Sequence, residues 1–312
     1  MKRKVLITGG GGFLGRRLAQ EIDWAEEIVL ADITLPDESS EEFRHISADV
    51  SNPADIDRIV TSDLTDIFHF GAVVSSGAEA DFDLGMRVNL DGTRQLLEAC
   101  RNLPKPINFI FASSCAIFGS NGGHLPSNAA ARPESSYGVQ KACGELLVND
   151  YARKGFIRGV SCRLPTVVVR PGKPNLAASS FASTIIREPI HGRRAKCPVN
   201  PDSSLWLGSV KSVVTNFLKA HQLAESGELP KYRAFNSPGI SLTVREMVDA
   251  LARTGSDTSL IDWEPDPKID AIVSTWPSAL DVSPELSLGF KSDLDFGEVI
   301  EDYKKTYFVE EN

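Results

Sequence analysis

The chain has 312 residues, 42% of them hydrophobic and 24% charged, as expected of a water-soluble globule with one large domain or two intimate ones. Its net charge of −9 argues against a nucleic-acid-binding surface. No apolar run approaches the ~20 residues of a membrane-crossing helix, and no signal peptide is expected before the first strand. The five cysteines (Cys100, Cys115, Cys143, Cys162, Cys197) are odd in number and lack Cys-x-x-Cys spacing, and the five histidines are scattered. Reduced thiols, a cytoplasmic location and no metal site are the expectations.

The first half alternates short apolar runs with helical patterns. Val5–Thr8, 28–31, 67–70, 107–113 and 160–164 read as strands, and 13–22, 88–100 and 137–152 as helices. Nearly continuous apolar strands suit a parallel sheet covered on both faces. The rhythm therefore predicts an α/β, Rossmann-type doubly wound parallel sheet with right-handed crossovers. After Pro165 it breaks. Residues 170–175 read as a loop from their Pro and Gly, and 177–187 as a short helix. Residues 209–224 read as a helix returning to the first domain, and 242–253 as another, with Thr243 as N-cap and Glu246 completing a capping box. Residues 263–267 and 275–277 read as loop-rich.

Gly9-Gly10-Gly11-Gly12-Phe13-Leu14-Gly15 follows the first strand directly and opens a helix. Gly9 suits the tight turn, Gly12 lets backbone approach a pyrophosphate, and Gly15 lets helix pack on strand. Asp32, 23 residues after Gly9, ends the second strand, where a carboxylate binds ribose hydroxyls and repels a 2′-phosphate. No Arg follows it, so NAD is expected rather than NADP. Asp49-Val50 should end the third strand beside the adenine, although Asp49 could equally be a turn or cap residue. The expected division is 1–168, with 203–225 returning to it, as the NAD-binding domain. Residues 169–202 and 226–312 then form a smaller, mostly helical substrate domain.

Tyr137 and Lys141 stand four residues apart in Ser136-Tyr137-Gly138-Val139-Gln140-Lys141, hence on one face of a helix. An ammonium beside a phenol favours the phenolate, which makes Tyr137 a candidate acid/base near neutral pH.

With these residues the chain resembles the extended short-chain dehydrogenases/reductases. The resemblance also takes in His69-Phe70-Gly71-Ala72 as a strand end, Val88-Asn89-Leu90-Asp91-Gly92-Thr93, and Ser113-Ser114-Cys115-Ala116-Ile117-Phe118-Gly119. It implies that Tyr137 moves the substrate hydroxyl proton and that Lys141 tunes the tyrosine and binds the nicotinamide ribose. Ser114 would hydrogen-bond the reacting oxygen. Phe13, Leu14, Phe70, Gly71, Ala72, Ser75, Asn89, Pro165 and Val167 would join the cofactor site. Pairing of two copies through helices near 90–103 and 138–152 is implied as well.

Two departures point away from nucleotide-sugar chemistry. The Arg that grips a nucleotide diphosphate in such relatives is Ser204 here, and a nearby Asp is Lys211. The Asp-Glu pair of sugar dehydratases is Cys115-Ala116. Segments 72–86, 163–175, 179–181 and 263–267 instead resemble the D-erythronate dehydrogenases. That resemblance implies NAD-dependent oxidation at carbon 2 of a four-carbon sugar acid. Its carboxylate would be gripped by Arg170 or Lys173, or those cations form surface salt bridges instead. Ser75, Ser76, Asn175 and Ser179 would hold its hydroxyls or cap helices. Arg187 is expected at the surface. A nucleotide-sugar epimerase and a catalytically silent NAD-binding regulator are the competing readings.

Overall fold

A computed structural model of the chain describes residues 2–35, 42–119, 123–172 and 177–308. The chain divides into two compact units. The first holds 1–114, 136–163 and 214–235, and the second 115–135, 164–213 and 236–312. Residues 115–135, 164–168 and 203–213 thus group with the second unit and 226–235 with the first, the reverse of the division expected from the sequence.

The first unit is organised by strands β1 (Lys4–Thr8), β2 (Glu27–Asp32), β3 (Arg44–Ser47), β4 (Asp66–His69) and β5 (Asn108–Ser114), with further strands at Arg158–Leu164 and Ala234–Asn236. The sheet runs 234–236, 158–164, β5, β4, β1, β2, β3, and the pairs among β1–β5 are parallel. The order reverses between β1 and β4, so the crevice beyond their carboxyl ends is where a doubly wound sheet takes its ligand. Val5, Leu6 and Ile7 of β1 are fully buried, as a run covered on both faces requires. Leu6, Val29, Ile67, Phe109 and Phe111 form a core with Leu96, Leu97 and Val148 from helices Thr93–Arg101 and Ser136–Arg153.

At the opposite end of the sheet, the buried Asp66 carboxylate accepts hydrogen bonds from Arg3 (2.8 Å), His221 (2.7 Å), Asn108 (2.6 Å) and Thr65 (2.6 Å). Burial works to raise its pKa, but these bonds prevail and hold the carboxyl well below the ordinary range. His221 is stacked on Trp24, which also carries the Arg3 guanidinium over its ring. This network ties β1, β4 and β5 together away from the ligand crevice.

One expected helix is irregular. Where the pattern predicts a helix over 88–100, Met86–Gly92 forms a π-helical turn that leads into the α-helix Thr93–Arg101. Such turns gather at functional sites because they redirect a side chain. Here Asn89 is the side chain concerned.

In the second unit, strand Ser204–Ser209 pairs antiparallel with Ile240–Thr243 and parallel with Thr166–Val168. Helices Ser180–Ile190 and Val244–Arg253 pack on it through Phe181, Ile185, Leu205, Met247 and Leu251. The Thr243/Glu246 capping box is present in full. Residues 264–266 are irregular, as expected of the 263–267 loop, but regular elements flank them closely. Ile261–Trp263 is a strand paired with Ala195–Cys197, and Pro267–Val273 is a helix capped by Asp266. Proline here starts a helix, because position N1 needs no N–H donor. A final helix, Phe296–Tyr307, capped by Asp295, was not anticipated.

Candidate active site

The glycine turn leaves β1 at Thr8 and enters helix α1 (Phe13–Glu21). Gly9 has φ +69°, and a Cβ there would stand 2.7 Å from the Gly71 nitrogen. Turn and β4 end are therefore in close approach. A Cβ on Gly15 would meet the Gly9 carbonyl at 2.7 Å, which explains the third glycine. Gly12 is exposed, and α1 begins there with no side-chain cap, its first turn occupied by Phe13 and Leu14. Its leading N–H groups and the helix dipole suit an anion.

Asp32 is held at the edge of this cradle. Its carboxylate accepts from the Gly11 N–H (3.0 Å) and from the Thr34 N–H (3.1 Å), one bond to each oxygen. Each oxygen keeps a lone pair for a ribose hydroxyl. Gly11, which the motif spacing passes over, is required sterically, since a Cβ there would lie 2.2 Å from the Thr34 carbonyl. The arrangement fits an NAD adenosine and pyrophosphate. Asp32→Ala is expected to raise the NADP/NAD ratio of kcat/KM by about tenfold or more, measured by parallel titrations of the two cofactors. Unchanged preference would remove Asp32 as the ribose reader. Asp49 lies beyond β3, its carboxylate accepting from the Ser51 N–H at 2.8 Å in a turn. Val50 is buried, and its carbonyl packs against Gly92 of the π turn.

At the end of β4, a chain of hydrogen bonds fixes the loop Phe70-Gly71-Ala72 that runs on to Ser75. Thr93 Oγ1 donates to the Asn89 carbonyl (2.7 Å), so the His69 Nε2–H donates to Thr93 (3.0 Å). His69 Nδ1 then accepts from Thr8 Oγ1 (2.6 Å), which in turn accepts from the Gly71 N–H (3.4 Å). This network assigns the Nε2–H tautomer. Burial and the Lys141 charge push His69 down to about 3, so the ring stays neutral. The Asn89 side chain is fully engaged. Its Oδ1 accepts from the Val73 N–H (2.7 Å), and its Nδ2 donates to the Val73 carbonyl (2.9 Å) and to Gln140 Oε1 (2.7 Å). It braces the wall of the crevice from the π turn. Ser75 is buried at the start of helix Ser75–Ala80, and the buried Ser76 Oγ has no hydrogen-bond partner among the described residues.

Tyr137 sits half-buried in the first turn of helix Ser136–Arg153. One turn on, Lys141 is 2% exposed, and its Nζ donates to the Ala112 carbonyl at 2.8 Å. The same ammonium lies 4.8 Å from the centre of the Phe111 ring and 5.7 Å from that of Tyr137. Burial lowers its pKa to about 7, while the Glu145 charge works the other way. Two serines end β5, and strand alternation separates them. Ser113 turns inward and donates to Glu145 at 2.5 Å, whereas Ser114 is half-exposed, which supports Ser114 as the group presented to a ligand. Ser114, Tyr137 and Lys141 all belong to the first unit.

In the second unit, Pro165 and Val167 are buried, Val167 in strand Thr166–Val168. The Arg170 guanidinium donates to the Val167 carbonyl (3.0 Å) and to Ser179 Oγ (2.5 Å). Lys173 and Asn175 fall outside the described residues. Arg187 corrects the sequence expectation. It is 3% exposed, pairs with Glu188 at 2.8 Å and donates to the Arg170 carbonyl at 2.9 Å. A helix-face pattern read alone does not show that strand and loop fold over that face. Among the described residues, no group of three His, Cys, Asp or Glu could hold a metal, and no helix is long and apolar enough to cross a membrane.

The chain is 46% identical to a D-erythronate dehydrogenase of Cupriavidus necator, over 96% of its own length and 97% of the relative's. It is 44% identical to a second enzyme of that name from Haemophilus influenzae, over 96% and 98%. A solved structure described as a nucleoside-diphosphate-sugar epimerase from Agrobacterium tumefaciens superposes with a TM-score of 0.89 at 34% identity, covering 98% of this chain and 94% of that one. Residues 5–236 match the NAD dependent epimerase/dehydratase family, and the chain belongs to that family.

Proposed function

We propose that this protein oxidises the carbon-2 hydroxyl of D-erythronate with NAD, giving 2-oxo-tetronate. The observation that carries the reading is Lys141, a buried ammonium fixed on the Ala112 carbonyl beside the Tyr137 ring. When bound, NAD supplies the hydride acceptor, and Gly9, Gly12, Gly15 and Asp32 hold it. Tyr137, as phenolate, takes the proton from the substrate hydroxyl. The Lys141 cation lowers the cost of that phenolate. Ser114 donates a hydrogen bond to the oxygen as alkoxide character develops, and so steadies it. Ser75 and Ser76 serve the remaining substrate hydroxyls, together with Asn175. Arg170 or Lys173 grips the carboxylate, Ser179 steadying the Arg170 fork.

The epimerase description of the structural relative keeps a second reading in play, in which NAD stays bound and a nucleotide-sugar turns over. Ser204, where an arginine would grip the diphosphate, argues against it. The deciding experiment is NADH appearance when the purified protein meets NAD and a panel of sugar acids, with a UDP-sugar control. Rapid NADH formation from D-erythronate is expected. Silence across the acids with turnover of the UDP-sugar would establish the epimerase, and silence everywhere the regulator.

Sugar-acid catabolism in the cytoplasm follows as the setting, supported by five unbridged cysteines. A homodimer through the catalytic helix completes the reading. Val139 and Leu146, 43% and 59% exposed, lie at helical spacing with Cys143 between them and form an apolar stripe facing away from the core. Light scattering should give twice the chain mass, and Leu146→Asp should shift it to the single chain. A wild-type single chain would exclude this pairing.

A further inference from the structure

Lys141 poses an electrostatic problem that its own contacts do not solve. A buried ammonium is costly without a compensating charge, and among the described residues Nζ donates one hydrogen bond, to a neutral carbonyl. The anion acting on it is Glu145, one helical turn further on and 1% exposed.

Glu145 is immobilised from three directions. Arg163, on strand Arg158–Leu164, donates from Nε to Oε1 and from Nη2 to Oε2, both at 3.0 Å. Tyr232 donates from its hydroxyl at 3.3 Å. Ser113, the residue before Ser114, donates from Oγ at 2.5 Å. A buried ion pair is weak evidence for stability, since apolar side chains of the same size often serve as well. The placement of this one, a turn from Lys141 and bonded to the neighbour of Ser114, gives it another use.

We propose that Glu145 is a positioning residue for this reaction, anchoring the Lys141 ammonium beside Tyr137 and, through Ser113, fixing the end of β5 that presents Ser114. The inference rests on the catalytic assignment of Tyr137 and Lys141 above. The elements packed on the catalytic helix carry Glu79, whose carboxylate accepts from the Ser136 N–H at 2.9 Å, and Asp83, Arg87, Asp91, Arg94 and Glu98, but the charge that acts on Lys141 is that of Glu145. Its own helix contributes Tyr137 and Glu145, and β5 only the neutral Ser113 and Ser114. His69 on β4 is held neutral. The neighbouring strand contributes Arg163, whose charge Glu145 neutralises, and Cys162, whose thiol burial pushes up and keeps protonated.

The sign of the effect follows. Removing the Glu145 charge lets Lys141 shed its proton at lower pH, so Tyr137 loses its cation over more of the neutral range. Glu145→Gln is expected to lower kcat at pH 7 about tenfold and to move the acid limb of the kcat profile up by about one pH unit. Glu145→Asp, which keeps the charge, should return the limb towards its wild-type position. A merely structural role would lower the active fraction and leave the limb in place, and that result overturns the proposal. If Glu145→Gln fails to fold because the buried Arg163 charge loses its carboxylate, Glu145→Gln/Arg163→Gln removes both charges and carries the same expectation. Ser113→Ala deletes only a neutral hydroxyl and tests the link to β5 by itself. Its kcat should fall about fivefold with little change in unfolding midpoint, a loss of roughly one hydrogen bond's worth of positioning. Wild-type kcat in Ser113→Ala would remove that half of the proposal. Tyr137→Phe, assayed alongside, separates the two levels. If it stays active, the base assignment itself has failed. If it is inactive while Glu145→Gln keeps the wild-type limb, Glu145 alone has.

Discussion

Tyr137→Phe is expected to lower the rate of NADH formation from D-erythronate by at least ~10²-fold, the usual effect of deleting a positioned acid/base group. The substitution removes one oxygen and keeps the ring that lies 5.7 Å from Lys141 Nζ, so packing of the catalytic helix is retained. Cofactor binding should be largely kept, because the glycine turn and Asp32 are built on β1, α1 and β2, away from this helix. Fluorescence titration with NADH, run beside the steady-state assay, distinguishes the two effects. A near-wild-type rate would end the role assigned to Tyr137.

Lys141→Met should be comparably severe, again at least ~10²-fold in kcat at pH 7. Methionine keeps an unbranched side chain without the charge, and the Ala112 carbonyl loses its donor, so about 1–3 kcal/mol of stability goes with it. The pH profile carries the diagnostic content. Without the cation, Tyr137 ionises nearer the ordinary phenol value of ~10, so activity of the variant should climb steeply from neutral pH towards that value. A variant that is slow but has the wild-type profile would mean that Lys141 acts only through packing or through the cofactor.

What the sequence disclosed and what it hid differ in kind. Gly9, Gly12 and Gly15, Asp32, and the Tyr137/Lys141 spacing were legible because each depends on a local rule, a turn, a strand end or one helical turn. The Thr243/Glu246 cap belongs to the same class. Gly11 was passed over because its need is tertiary, set by the carbonyl of Thr34 across the turn. Gln140 lies inside the very motif that was read, yet its bond to Asn89 joins positions 51 apart in sequence. Arg187, expected at the surface, is buried through Glu188 and the Arg170 carbonyl, the latter 17 positions away in sequence. The helix that begins at Pro267 is hidden for a local reason, since a proline after Asp266 suits both a loop and the first turn of a capped helix.

The π turn at 86–92 has a bearing on how this site can change over generations. Relative to a regular helix it carries a one-residue surplus, and an α-helix turns by about 100° per residue. Deleting that residue would restore a regular α-helix across the segment and redirect the side chains inside it, while the flanking turns keep their faces. Asn89, inside the π turn, would lose the direction that lets it serve Val73 and Gln140, whereas Thr93, in the α-helix beyond, would keep its place against His69. Substitutions around the segment can be tried one at a time by a drifting lineage, each with a graded loss. A change of length cannot, because it takes Asn89 off Val73 and Gln140 in a single step. The tally of residues between Gly85 and Thr93 is thus as much an inherited feature of this site as the identity of any side chain in it.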